Sequence, residues 1–376
     1  MNPLTELIKH GQSYWLDNLT RGKIQSGELK DRVENQGLRG ITSNPAIFMK
    51  AITQSVDYDE QIRELAGKGR STQEIYEALT IQDIQNACDI LHPVYVKSDG
   101  TDGFVSLEVS PHLARKCEET MDEARRLYKK VDRPNCFIKI PGTQEGLPAI
   151  EEMLYEGINI NITLLFSIER YVEVAEAYIR ALERRVDEGK SLSDIASVAS
   201  FFLSRIDVLV DNKLDSILDT ESDESIKEIA RDIKGETAIA SAKIAYQKFQ
   251  KIFSGERWDR LEKQGAHVQK PLWASTSTKN SDYRDVRYVE NLIGENTVNT
   301  LPDETIDAFA DHGEIRPNSV EEEVDKAYET LEMAEKIEIN MEDVTSQLVG
   351  EGIRKFISPY EDLLESIEEK SGQLVS

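Results

Sequence analysis

Apolar residues along this chain follow two alternating rhythms. Short, nearly continuous apolar runs rich in Val, Ile, Phe and Thr occur at 13–17 (SYWLD), 38–43 (LRGITS), 104–109 (FVSLEV), 136–141 (CFIKIP), 159–164 (NINITL), 197–202 (SVASFF), 271–275 (PLWAS) and 296–301 (NTVNTL), with Gly, Pro, Asn or Asp at their borders. Runs of this length and make-up predict strands buried on both faces, as in a parallel sheet. The stretches between them repeat at helical spacing. Pro111 suits a first helical position after Ser110, and Leu113, Cys117, Met121, Ala124, Leu127 and Val131 continue the stripe. Val172, Ala175, Tyr178, Ile179, Leu182 and Val186 do the same after Ser167. Eight strand–helix alternations without a meander predict an α/β fold closed as a (β/α)8 barrel.

Helical material exceeds the eight units in three places. Residues 46–95, after the second strand, read as several inserted helices. Residues 223–253, after the sixth, read as one helix with Ile226, Ile229, Ile233, Ala240, Ile244 and Phe249 on one stripe. The acidic stretch 318–370 reads as helices wrapping the barrel. No linker divides the chain, so a single domain, 1–376, is expected, with a helical extension from about 318.

Composition narrows the function classes. No apolar run approaches the ~20 residues of a membrane helix, and the opening MNPLTELIKHGQSYWL lacks the basic-then-apolar order of a signal peptide. A cytoplasmic location is expected. Cys88, Cys117 and Cys136 are odd in number and in no paired spacing, and His10, His92, His112, His267 and His312 show no ligand motif. No metal is therefore expected, and no GxGxxG follows the early strands to suggest a dinucleotide. The formal net charge of −25 disfavours nucleic acid and anionic membranes as partners. It would repel a phosphorylated substrate too, unless Arg, Lys and helix N-termini reverse the field locally. Monomer and homodimer both remain open.

The most informative residue is Lys139, flanked by Phe137, Ile138 and Ile140 in an apolar strand. Desolvation there is expected to disfavour the ammonium and free a lone pair for attack on a carbonyl; the alternative is a lysine that snorkels to water. Asp17, Asn44, Glu108, Asn161, Thr163, Ser200 and Ser275 fall at or near the carboxyl ends of the proposed strands, where barrel active sites form.

The run FIKIPGTQEGLPAIEEMLYEGININITLLFS (137–167) resembles the central signature of transaldolases. GITSNPAIF (40–48), SFFLSRID (200–207) and WASTSTKN (273–280) are similar to three further family segments. The resemblance, from about Asp17 to Thr300, implies that Lys139 forms a Schiff base with a ketose. It implies that Asp17 removes the C4 hydroxyl proton and that Glu108 and Thr163 position a water for proton transfer. Asn44, Asn161 and Ser200 are implied to hold the dihydroxyacetone hydroxyls, and Phe202 to wall the pocket. Arg205 and Ser275 are implied to bind phosphate. Family members carry an arginine closely behind that serine; here Lys279 stands in the corresponding stretch. The implied reaction moves dihydroxyacetone from sedoheptulose 7-phosphate to glyceraldehyde 3-phosphate, reversibly, giving erythrose 4-phosphate and fructose 6-phosphate, without a cofactor. Two alternatives are a Schiff-base aldolase on the same barrel and a non-catalytic barrel that binds metabolites.

Overall fold

The computed structural model describes residues 2–375. Strands β1 (Gln12–Leu16), β2 (Gly40–Ile41), β3 (Val105–Glu108), β4 (Cys136–Pro141), β5 (Ile160–Leu165), β6 (Ser197–Phe202), β7 (Lys270–Ala274) and β8 (Thr297–Leu301) close in sequence order into one barrel. Neighbours pair in parallel all the way round, β1 with β8 included. All eight expected strands are present within a residue or two. β2 is the shortest because Asn44 caps, and Pro45 opens, the helix Pro45–Thr53 just beyond it. A Cβ on Gly40 would lie 2.4 Å from the Trp15 ring, so the approach of β1 to β2 requires glycine there.

Strand residues are buried on both faces, as their continuous apolarity implies. Near the amino ends of β3 and β4, Phe104 and Phe137 stack at 4.1 Å, and Phe137 and Trp15 at 6.1 Å. Burying each such ring contributes about 1.5–3 kcal/mol, and all three are buried. The candidate site residues Asp17, Asn44, Thr163, Arg205 and Ser275 lie toward the other end.

Between the strands, Ser167 caps the helix Ile168–Asp187 by accepting from the Arg170 N–H at 3.0 Å, where the apolar stripe places it. Two expected helices differ from their sequence reading. Pro111 opens only a 3₁₀ turn, Pro111–Leu113, and the full helix begins at Cys117. Two side-chain hydrogen bonds hold the chain out of the helix, one local and one from beyond β4: Thr120 donates to the Leu113 carbonyl at 2.9 Å and Thr143 to the Ala114 carbonyl at 2.6 Å. The 223–253 stretch is two helices, Glu224–Ile233 and Thr237–Ile252, separated at Gly235 with φ +76°. Its apolar spacing continues across a break that the backbone makes.

The 46–95 insertion forms Pro45–Thr53, Asp59–Gly67 and Thr72–Lys97, the last opened by a reciprocal Ser71/Glu74 cap. At the C-terminus, Val324–Lys336 precedes the long helix Met341–Val375. That C-terminal helix packs on all three inserted helices, on Ser204–Thr220 and on β5. Lys370 pins its far end through the Ile52 and Ser55 carbonyls and Asp59, at 2.9–3.0 Å. One buried apolar cluster consequently runs from Leu4 to Ile367. Among the described residues, no helix is long and apolar enough to cross a membrane.

Candidate active site

Strand register brings the chemistry together. Glu108 on β3 lies opposite Lys139 on β4, which lies opposite Asn161 on β5, and Pro141 faces Thr163 one layer higher. Lys139 is 5% exposed, its Nζ 3.3 Å from a Glu108 carboxylate oxygen and 3.3 Å from the Ser43 carbonyl. The contact with Glu108 is an ion pair without a well-aligned hydrogen bond, and neither Glu108 oxygen nor Thr163 Oγ1 has an aligned partner among the described residues. Burial pushes the Glu108 carboxyl above its usual range; neighbouring Lys139 pulls it back only in part. Such a group beside an amine is suited to passing protons in both directions.

A cavity opens beside Lys139 at the carboxyl ends of the strands. Asp17, Asn44, Lys139, Thr163, Ser200, Phe202, Arg205 and Ser275 all line it. Asp17, just past β1, accepts from Thr42 Oγ1 at 2.8 Å, which orients its carboxylate. Asn44 spends its oxygen on the Ile47 N–H at 3.0 Å, so its amide N–H groups are the ones turned to other partners.

Across the cavity stands a cationic end. Arg205 occupies the first turn of Ser204–Thr220, where helix N–H groups and dipole favour an anion. Its Nη1 is buried without a hydrogen-bond partner among the described residues, and burial lowers its pKa against the pull of Asp17 and Glu108. Ser275 has φ +56°, an unusual conformation for a residue other than glycine. That turn brings its carbonyl to the Ser204 N–H at 3.0 Å and its hydroxyl to Ser204 Oγ at 2.9 Å. β5 has a second irregularity at Leu164, φ +59°, where its register with β6 shifts. Leu164 there meets Gly352 of the C-terminal helix, whose added Cβ would sit 2.8 Å from it. Phe356, one turn further on, has its ring centre 5.7 Å from Lys139 Nζ and 5.9 Å from the Arg205 guanidinium.

A buried lysine paired with an acid, facing a cavity that ends in an arginine at a helix N-terminus, is a constellation for imine chemistry on an anionic carbonyl compound. A family model described as transaldolase/fructose-6-phosphate aldolase matches residues 14–367. The chain belongs to this family. The chain is also similar to proteins named Transaldolase 2 in Nostoc punctiforme, 52% identical over 98% of this chain and 97% of that one, and Transaldolase in Trichodesmium erythraeum, 50% identical over 99% and 98%. A Transaldolase of Frankia alni is 44% identical over 99% of this chain and 98% of its own.

Set against the transaldolase motif, eight of the expected residues meet at one cavity and three do not line it. Glu108 lies behind Lys139. Asn161 is fully buried, donating to Ser106 Oγ at 3.0 Å and accepting from Ser200 Oγ at 2.7 Å, so it orients Ser200 from below. Lys279 is exposed and donates to Ser277 Oγ at 2.6 Å, away from the cavity. The sequence reading missed Thr42, Thr300 and Phe356. The two threonines sit at strand ends and follow the signal that flagged their neighbours. Phe356 carried no signal, being one aromatic in an acidic helix far along the chain. A larger cavity of about 860 Å³, between 142–145, 166–173 and the two C-terminal helices, contains none of the expected catalytic residues.

Proposed function

We propose that the chain catalyses dihydroxyacetone transfer between sugar phosphates, the transaldolase reaction, through an imine on Lys139. The observation that carries this reading is the placement of Lys139 Nζ between Glu108 and a cavity shared with Asp17 and Arg205. In its uncharged form the amine attacks C2 of the ketose, and the carbinolamine loses water to give an iminium. Glu108, with Thr163 and a water, passes the protons that these steps need. Asp17 takes the C4 hydroxyl proton; the C3–C4 bond breaks, its electron pair moves into the iminium, and an aldehyde departs from an enamine. The acceptor aldehyde enters and the steps reverse. Asn44 and Ser200 hold the three-carbon hydroxyls, while Arg205, the helix N-terminus and Ser275 receive the phosphate.

Arg205 supplies the local reversal of field that a chain of net charge −25 needs for an anionic substrate. The C-terminal helix belongs to the same catalytic unit, since Phe356 covers the space between lysine and arginine. The same negative charge disfavours nucleic acid and anionic membranes as partners, and the proposed reaction on soluble sugar phosphates supports a cytoplasmic location. Incubation with fructose 6-phosphate, with and without erythrose 4-phosphate, tests the reading. Sedoheptulose 7-phosphate is expected with the acceptor and little free dihydroxyacetone without it. Dihydroxyacetone release at equal rates in both would replace transfer with simple aldol cleavage.

A further inference from the structure

Arg205 and Ser275 stand on different elements; the two Ser204–Ser275 hydrogen bonds join them directly, and a second tie between the same elements lies outside the cavity. Beyond Ser275 the chain runs from 276 to 286 without regular structure before the four-residue helix Arg287–Glu290. A loop of this kind pulls on the serine at its start unless it is anchored further along. Two carboxylates one turn apart on Ser204–Thr220 supply that anchor. Tyr288 Oη donates to Asp207 at 2.6 Å, and Tyr283 Oη donates to Asp211 at 2.6 Å. Each aspartate uses its second oxygen on the turn that breaks 223–253: Asp207 accepts from the Ala238 N–H and Asp211 from the Gly235 N–H, both at 2.8 Å. Arg287 completes the bracket, its guanidinium 4.5 Å from the Tyr283 ring and 5.6 Å from the Tyr288 ring, donating to the Gly235 carbonyl. A Cβ on Gly235 would come within 2.6 Å of Tyr283, so the closeness of turn and loop is built into the backbone.

Asp207 is 2% exposed, Asp211 7% and Tyr288 1%. Burying two carboxylates on one helix face, four residues apart, is a costly way to pack a helix that could use apolar side chains. Neither touches the cavity. Asp207 is nevertheless only two residues from Arg205, on the same first turn and a half.

We propose that Asp207 and Asp211 are positioning residues, which clamp the loop after β7 to the helix bearing Arg205 through Tyr288 and Tyr283 and thereby set the pocket for the substrate's phosphate. The inference rests on the phosphate site proposed for Arg205 and Ser275. It assigns the bracket to the phosphate end alone, leaving the imine end untouched.

Tyr283→Phe and Tyr288→Phe test it, since each removes one hydroxyl and keeps the ring. The variants are expected to raise KM for fructose 6-phosphate and to weaken competitive inhibition by inorganic phosphate about fivefold each, the scale of one buried hydrogen bond. Turnover at saturation stays within about twofold, and borohydride trapping of unphosphorylated dihydroxyacetone on Lys139 matches the parent protein. Unchanged phosphate inhibition in both variants overturns the proposal, as does an equal loss of trapping and of phosphate affinity, which would mark a general structural role. If the parent protein itself shows no inhibition by phosphate, it is the phosphate site that fails, and the bracket loses its function with it.

Discussion

The two ends of the cavity are built in different ways. The lysine end stands on strands: Glu108, Lys139 and Asn161 sit side by side because the register of three parallel strands puts them there. Each is nearly or wholly buried. The arginine end, to which the proposed function assigns the phosphate, stands on segments beyond the strands: a helix N-terminus at Arg205, a left-handed serine at 275 and an aromatic delivered by the C-terminal helix. Strands place reacting atoms with the rigidity of the barrel; loops and helices can vary without disturbing them. The contrast implies that losses at the lysine end appear in turnover, and losses at the other end in affinity and in the exclusion of water.

The largest expected effect lies at the lysine end. Lys139→Ala is expected to lower transfer by on the order of 10⁴–10⁶, as for removal of a covalent nucleophile, with the melting temperature little changed. Retained turnover, followed by coupled assay, would break the comparison at its root. Asp17→Asn should slow carbon–carbon cleavage by roughly 10²–10⁴ while the imine still forms, so single-turnover measurement should find adduct accumulating ahead of aldehyde release. Normal release rates would move the proton acceptor elsewhere.

At the other end, Phe356→Ala opens the space between Lys139 and Arg205. Acceptor-independent release of dihydroxyacetone is expected to rise by about three- to tenfold, the equivalent of roughly 1 kcal/mol, and a product ratio identical to the parent protein would leave the ring without that role. The smallest effect concerns the bracket behind Arg205. Burial raises the Asp207 carboxyl to about 7, against hydrogen bonds from Tyr288 and Ala238 and the nearby Arg287 that lower it, while Asp211 pushes it further up. Between the ordinary aspartate value of about 3.9 and 7 the folded protein keeps this proton and the unfolded chain has released it. Stability therefore falls with rising pH across that window and levels off above it. Asp207→Asn has no such proton, so its melting temperature relative to the parent should improve from pH 5 to pH 8, by a few degrees at most. A difference independent of pH would show that Asp207 ionises as an exposed acid does.

The legibility of the sequence divides along the same line. All eight strands and the lysine end were legible, because short apolar runs and the polar residues at their ends are local signals. Asn161 lies in the expected strand, but its buried partners were not legible, since period-two alternation puts a side chain inside the barrel without saying which layer it serves. Its bonds to Ser106 and Ser200 reach β3, two strands away, and the neighbouring β6. Lys279 was chosen by its place behind Ser275, yet it points to Ser277 at the surface, because a residue's distance along a loop does not fix its direction. The break at Gly235 escaped notice because the apolar stripe resumes in phase beyond it. Phe356 depends on where a 35-residue helix crosses the barrel, which is decided by packing against Leu164, the inserted helices and the Lys370 anchor. None of these contacts is local in sequence.

On the proposed mechanism both ends of the cavity serve the imine that the Lys139 amine forms with a ketose. Borohydride reduction of the intact protein in the presence of fructose 6-phosphate, with peptide mass analysis afterwards, reads this directly. The expected result is a stable three-carbon adduct on the peptide carrying Lys139. Folded protein that emerges unmodified, or modified only at surface lysines, would contradict imine catalysis at this site.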